Sequence, residues 1–387
     1  MHQTTETQRK QHRDWLLELT NIPTAAGRED RVIAWVERWV KSRRNLKLTY
    51  DEAGNLYILP RRSSRARQAP APLLITAHLD HPAFVVRHVE GRIVELEFRG
   101  GVHDPYFVGT RIDIIDEHDQ SHRATITELN SAAKPFKVVE ARLSRASEDV
   151  EAGNVARWAL PKARVRKGIL EAPACDDLAG VAAALSALDV IHRRKGMNHV
   201  GVMLTLAEEV GFIGAIAACR LQALPTDARL ICLENSRSFP ESPIGGGPIV
   251  RVGDRISVFD PRLTNRISQL MLSYAADHPT FTWQRKLMAG GACEATTFSS
   301  FGYESTCVCL PLGNYHNMVD IDGVQSGKAP ARIGPEFIAV DDYHGLVDLL
   351  IISAAELDGS RGMDIRGRMD QLLDDHGFVI GFVSDDA

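Results

Sequence analysis

The sequence has no pair of cysteines in CxxC spacing, no apolar run near the ~20 residues that cross a bilayer, and no excess of positive charge. Each absence removes a class of function. The six cysteines, Cys175, Cys219, Cys232, Cys293, Cys307 and Cys309, sit mostly among apolar or small residues, and so read as reduced core thiols. With 45 Lys and Arg against 50 Asp and Glu, the formal charge is −5, which does not suit a phosphate-tracking surface. Neither nucleic acid nor a membrane is an expected partner. The opening MHQTTETQRKQHRDW lacks the apolar core of a secretory signal, so a cytoplasmic protein is expected. The stretch GGGPIVRVGD is glycine-rich but lacks GxxxxGK[ST] and does not join a strand to a helix, which excludes a phosphate cradle. What is present is a globular composition, 44% hydrophobic and 25% charged over 387 residues, enough for one large or two medium domains.

Apolar residues recur at three- and four-residue steps over residues 12–44, predicting two helices around a break at NIPTAAG. The polar, proline-bearing residues 61–71 predict a solvated loop. From about Val86 to Val165 the pattern changes to short alternating runs (RIVELEFRG, TRIDIID, ATITEL, KVVEARL) separated by glycine and polar turns. That predicts a small β-rich domain, 86–165, inserted into an α/β domain made of 1–85 and 166–387. Its histidines, His88, His103, His118 and His122, lie on polar stretches and are expected at the surface. The run LVDLLIISAAEL predicts a closing helix, and the tail beyond it carries no clear signal.

Four segments share one feature. GVMLTLAEEVGFIGA, residues 201–215, is an apolar strand ending in Glu208 and Glu209 before a small-residue helix. PLLITAHLD ends in His78 and Asp80, which two-residue spacing puts on one face. ARLICLENS ends in Glu234, and STCVCLPLGNYHNM leads to His316. ACDDLAG adds Asp176 and Asp177 before an alanine-rich helix, where an aspartate can also act as a simple N-cap. A glutamate at one strand end can likewise cap the next helix, and a lone histidine is usually just hydrogen-bonded. Ligands in open α/β sheets gather at the carboxyl ends of the strands, so the shared placement makes these residues candidates for one site.

Two imidazoles and three or more carboxylates without thiolates suit divalent first-row ions, zinc first, with cobalt or manganese as alternatives. If one aspartate bridges, each of two ions can take a histidine and a terminal carboxylate. Three carboxylates and a hydroxide then offset the four positive charges, and one glutamate is left over as a general base for hydrolysis.

The motifs HLD, ACDDLAG, AEEVGFIGA, LENS and NYHN, in this order, resemble those of the tetrahedral aminopeptidase family. It includes glutamyl and deblocking aminopeptidases and belongs to a clan of dinuclear-zinc exopeptidases. The resemblance runs from about Trp15 to Leu350, and RGGVHDPYFVG resembles the glycine-and-proline segment of the family's insert. It implies a mixed, largely parallel sheet sandwiched by helices, with a PDZ-like or barrel-like insert used in subunit contacts, and homo-oligomers from dimer to dodecamer. It implies two metal ions: His78 and Glu234 on one, Glu209 and His316 on the other, and Asp176 bridging. Glu208 would be the general base, Asp80 would orient His78, and Asp177 would stand behind the ligands. The implied activity is removal of N-terminal residues from peptides by a metal-bridging hydroxide. A deacylase acting on N-acyl amino acids, or a silent homologue, is the alternative. Three departures stand out: His81 and Pro82 where the family has an acid after HxD, Leu178 where it has arginine, and Cys293-Glu294 where its glycine–threonine turn carries aspartate.

Overall fold

The computed structural model describes residues 4–61, 70–359 and 365–382. The loop expected at 61–71 falls mainly outside them. Four parallel strands form the centre of the molecule, side by side in the order Val200–Thr205, Leu73–His78, Arg229–Arg237 and Glu304–Leu312. Leu56–Pro60 and Leu46–Tyr50 continue the sheet antiparallel on one side. On the other, Ile249–Gly253 is antiparallel to its neighbour and Gln284–Leu287 runs parallel to it, completing eight strands.

Side-chain alternation decides what each face of the sheet packs against. Leu230 and Cys232 join Ala215, Ala218 and Phe298 from the helices Ile213–Arg220 and Glu294–Ser300. Ile231 and Leu233 point the other way, onto the helices Glu6–Leu19, Leu178–Ile191 and Val340–Glu356. Because both faces are covered, the central strands are continuous apolar runs without polar alternation. The helix Leu178–Ile191 is buried at every position, which is why its composition is alanine-rich and has no polar stripe. This is the mixed, largely parallel sheet between helices that the family resemblance implies. All six cysteines are buried and free, in keeping with core thiols.

The alternating runs after Asp80 close into a six-stranded antiparallel barrel, in the order Ala83–Glu90, Ile93–Arg99, Lys137–Leu143, Ser121–Asn130, Arg111–Ile115 and Val155–Trp158. An aromatic cluster fills it, with the Phe84 ring 4.8 Å from both Phe98 and Trp158 and edge-on to each. Two short strands, Arg164–Arg166 and Ile169–Ala172, then form a hairpin whose second strand pairs with Glu336–Ala339, and lead the chain back to Asp176. The barrel therefore leaves and rejoins the larger body at strand ends that carry candidate site residues. Of its histidines, His88, His103 and His118 are exposed, but His122 is half-buried with Nε2 2.7 Å from buried Asp116. The surface assignment of His122 is corrected accordingly: a hairpin partner across the Asp116 turn was not visible in the local pattern. Most of the unplaced tail forms the helix Ile365–His376 and the turn Gly377–Ile380. Among the described residues no helix is long and apolar enough to cross a membrane.

His12 gives the fold a pH dependence away from the site. It is fully buried beside Trp15 (ring centroids 5.4 Å apart), and neither ring nitrogen has a hydrogen-bond partner among the described residues. Burial, opposed by Asp189 and helped by Arg43 and Arg193, pushes its pKa down to about 4. The unfolded chain takes up this proton near 6.5 and the folded one only near 4, so stability is lost as pH falls through that window. One such group contributes at most ~3 kcal/mol. Denaturant midpoints measured from pH 7 to pH 4.5 should therefore fall less steeply in His12→Phe than in the wild type.

Candidate metal centre

The turn between the strand end at Thr205 and the helix start at Ile213 contains three residues with positive φ. Ala207 takes a left-handed conformation (φ 53°), Gly211 has φ 113° and Phe212 φ 62°, before the helix begins at Ile213. Asp80 holds this turn: its Oδ1 accepts the N–H of Glu208 and its Oδ2 that of Glu209, each at 3.0 Å. The same Oδ1 lies 3.4 Å from His78 Nδ1, while the Asp80 carbonyl is nearer to that nitrogen, at 3.2 Å. Asp80 thus faces both the imidazole and the glutamate turn.

His78 Nε2 looks the other way, at Asp176 Oδ1 (3.5 Å), Glu234 Oε1 (3.8 Å) and Glu208 Oε2 (3.9 Å). Asp176 spans to the second histidine, His316, whose Nε2 is 3.4 Å from Asp176 Oδ2 and 3.3 Å from Glu209 Oε1. His316 sits at φ 53°, stacked on Tyr315 at 3.8 Å, and its Nδ1 donates to the Gly101 carbonyl at 2.6 Å. That bond comes from the barrel. It fixes the proton on Nδ1 and leaves the Nε2 lone pair facing the carboxylates.

The seven residues His78, Asp80, Asp176, Glu208, Glu209, Glu234 and His316 are thus brought together from distant positions in the chain. Asp177 stands behind them. It occupies the N-cap position of its helix but makes no side-chain cap; its Oδ1 accepts from Asn235 Nδ2 at 2.7 Å. A methyl group on Gly180 would lie 2.1 Å from that oxygen, so the glycine of ACDDLAG leaves room for the buried carboxylate. Glu336 had no signal in the sequence. Its Oε2 accepts the N–H groups of Cys175 (2.6 Å) and Asp176 (3.1 Å), and its Oε1 that of His316 (2.8 Å), so one buried carboxylate ties two site segments. An isolated glutamate in IGPEF has no local pattern to mark it.

At this centre three sets of side chains each bring one ligand atom apiece within 4.8 Å of one another: His78, Asp176 and Glu234; Asp176, Glu209 and His316; His78, Glu208 and Glu209. Asp176 belongs to the first two. His78 Nε2, His316 Nε2 and Asp176 Oδ1 are buried without a hydrogen-bond partner among the described residues, although all three face this space. The electrostatics point the same way. Burial opposes a charged His78, but Glu208, Asp176, Asp80 and Glu234 outweigh it and hold the imidazole well above its ordinary pKa. Burial opposes a charged His316 in the same way and is outweighed by Glu209 and Asp176. Burial, reinforced by Glu234, Glu209 and Asp80 against the pull of His78, pushes Glu208 well up. Crowded buried carboxylates need positive charge nearby. Imidazole and carboxylate donors in two sets sharing an aspartate fit a pair of borderline divalent cations.

The departures have definite places. His81 lies against Asp176, with Nδ1 2.5 Å from the Asp176 carbonyl and Nε2 3.0 Å from Asn317 Oδ1. Leu178 is fully buried in the core. Glu294 is buried behind His78, its pKa raised to about 7 by burial, which the attraction of His78 and a Thr205 hydrogen bond only partly offset. An open cleft beside the centre is lined by Glu234, His316, Tyr315, Phe239, Met318 and Arg251. Arg251 is buried there, with its Nη1 on Ser236 Oγ at 3.1 Å and no carboxylate within ion-pair distance among the described residues.

The family model for M42 glutamyl aminopeptidase matches residues 54–329. Among solved structures, the chain is similar to aminopeptidase APDkam598 from the archaeon Desulfurococcus kamchatkensis, at 20% identity and a TM-score of 0.68, covering 92% of this chain and 99% of that one. It is similar to the Pyrococcus horikoshii TET1 peptidase, described as assembling into a tetrahedron or a large octahedral shell, at 19% identity and a TM-score of 0.68 over 89% and 99% of the chains. A TET aminopeptidase from the marine sediment archaeon Thaumarchaeota archaeon SCGC AB-539-E09 matches at 16% identity, with a TM-score of 0.69 over 90% and 99%. At these identities the likeness establishes the fold. No curated protein matches the chain in sequence.

Two outcomes follow from the geometry. Because Asp176 serves two donor sets, elemental analysis should find two divalent ions per wild-type chain, and Asp176→Asn should lose both rather than one. Gly180→Ala should crowd the Asp177 carboxylate and lower stability by ~1–3 kcal/mol, the usual cost of overpacking, read as a lower denaturant midpoint.

Proposed function

The chain belongs to the M42 glutamyl aminopeptidase family, and from this premise and the geometry of the centre we propose that it is a metal-dependent aminopeptidase removing N-terminal residues from peptides. The observation that carries the reading is the sharing of Asp176 by two histidine–carboxylate sets, with Glu208 beside them. His78 and Glu234 would hold one ion, Glu209 and His316 the other, with Asp176 between; zinc suits these donors best. Two such ions, when bound, would supply Lewis acidity toward the peptide carbonyl and the attacking water.

The chain's own residues do the rest. Glu208 takes the proton of the attacking water on its carboxylate and returns it to the leaving amine nitrogen. Its burial favours proton uptake, and its position next to His78 keeps the carboxylate at the reacting centre. Asp80 keeps the Glu208–Glu209 turn and the His78 ring in register, and the Gly101 carbonyl keeps the correct His316 nitrogen free. Asp177, held by Asn235, stands behind the ligands without reaching substrate, and burial raises its carboxyl well above the usual carboxylate range. In the cleft, Arg251 offers a desolvated cation. A buried charge with no opposing carboxylate is costly, so a substrate that brings a carboxylate to this wall is favoured.

The catalytic body in this reading is 1–85 with 166–387, and residues 86–165 form an inserted domain that takes part in subunit contacts. A homo-oligomer is proposed because similar proteins are described as a dodecamer, a tetrahedron and an octahedral shell. A cytoplasmic location is part of the proposal, supported by the six buried free cysteines.

Glu208→Gln tests the chemistry. It should keep both ions and lose turnover on unblocked dipeptides and tripeptides by about 10²–10⁴-fold, the usual contribution of a general base. Normal turnover in that variant would remove Glu208 from the role. Release of an acyl group in place of a free N-terminal residue by the wild type would turn the reading to a deacylase.

A further inference from the structure

The connection between the first two helices, NIPTAAGRE, crosses the ends of two strands that carry the centre. Thr24 Oγ1 donates to the Leu79 carbonyl at 2.9 Å, next to His78. Glu29 reaches the other strand end, where its Oε1 accepts the N–H of Ala207 at 3.0 Å and that of Gly27 at 2.9 Å. Glu29 is only 3% exposed. It precedes the helix Asp30–Lys41 and makes no side-chain cap there, so its carboxylate is committed to the strap and the turn.

With Asp80 on the next two amides, the N–H groups of Ala207, Glu208 and Glu209 are each taken by a carboxylate from elsewhere in the chain. Such capture matters at this place because Ala207 is left-handed at φ 53°, a conformation that costs a non-glycine residue roughly 1–2 kcal/mol. The left-handed residue is what sends the two following side chains apart, Glu208 toward His78 and Glu209 toward His316. If the acceptor is lost, the half-buried Ala207 amide is left without its partner and the turn has reason to relax. Relaxation moves both carboxylates together.

We infer that Glu29 is a positioning residue for the reaction: through the Ala207 amide it fixes the turn that aims Glu208 and Glu209. The inference rests on the roles proposed above for those two glutamates. It differs from a general stabilising role because the effect is confined to one turn and falls on turnover, since displacing a reacting group by about 1 Å can cost 10²-fold.

The test uses the full-length, zinc-loaded protein and three variants. Glu29→Gln keeps an oxygen acceptor at the same reach, Glu29→Asp keeps the charge but is one methylene short, and Glu29→Ala removes both. The expected result is a kcat reduced about 10²-fold in Asp and Ala, with KM nearly unchanged, and substantial recovery in Gln. Amide hydrogen exchange should accelerate in residues 206–212 in Asp and Ala but not in the barrel strand Ile93–Arg99. Should Glu29→Ala not fold, Glu29→Asp against Glu29→Gln carries the comparison. Wild-type kcat in Glu29→Asp, equal impairment in Glu29→Gln, or acceleration of exchange throughout the molecule would each overturn the inference. A wild type that cleaves no peptide would overturn the functional reading instead, and the exchange comparison would still decide whether Glu29 holds the turn.

Discussion

Buried negative charge is the constraint on which the structure depends. Asp80, Asp176, Asp177, Glu208, Glu234, Glu294 and Glu336 are all buried, and Glu209 nearly so, around two imidazoles at one edge of a sheet. Each ionised carboxylate removed from water costs several kcal/mol unless it is paired or hydrogen-bonded. The chain meets that cost in two ways. Carboxylates at the back accept main-chain amides: Asp80 from Glu208 and Glu209, Glu336 from Cys175, Asp176 and His316. Those in front, Asp176, Glu208, Glu209 and Glu234, turn toward the histidines, and the charge balance there calls for divalent cations.

The parallel sheet makes such a concentration possible. Its central strands are covered on both faces, so the polar ends of Leu73–His78 and its neighbours emerge together at one edge. Register sets the levels: His78 lies opposite Thr205, two residues before the turn to Glu208, and Glu234 lies two residues beyond the pairing of Cys232 with Thr76. The barrel then acts on the site from outside the sheet. It is inserted between Asp80 and Asp176, and the Gly101 carbonyl orients His316 from a segment 215 residues earlier. The barrel is thereby coupled to the tautomer of His316.

The departures from the family's motifs also make physical sense in this setting. His81 takes an interior position against the Asp176 carbonyl and Asn317, and Leu178 joins the alanine-rich core below the aspartates. Arg251 stands on the wall of the cleft beside the centre.

Much of this was legible in the chain because it is written in local patterns. Continuous apolar runs ending in His78, Glu208, Glu209, Glu234 and His316 mark covered parallel strands with polar ends, and the short alternating runs after Val86 mark the barrel, since side-chain period follows directly from backbone geometry. The sequence by itself therefore determined the sheet class, the inserted β domain and the candidate donor residues. Tertiary structure alone decided how they act together. Asp176 between two histidines, Glu336 on three amides, Glu29 under Ala207 and the Gly101 carbonyl on His316 are contacts between residues up to more than two hundred positions apart, and their partners leave no periodicity in either segment. Hydrogen-bond acceptors are chosen by the approach of distant chain ends, which only the packed sheet and barrel bring about.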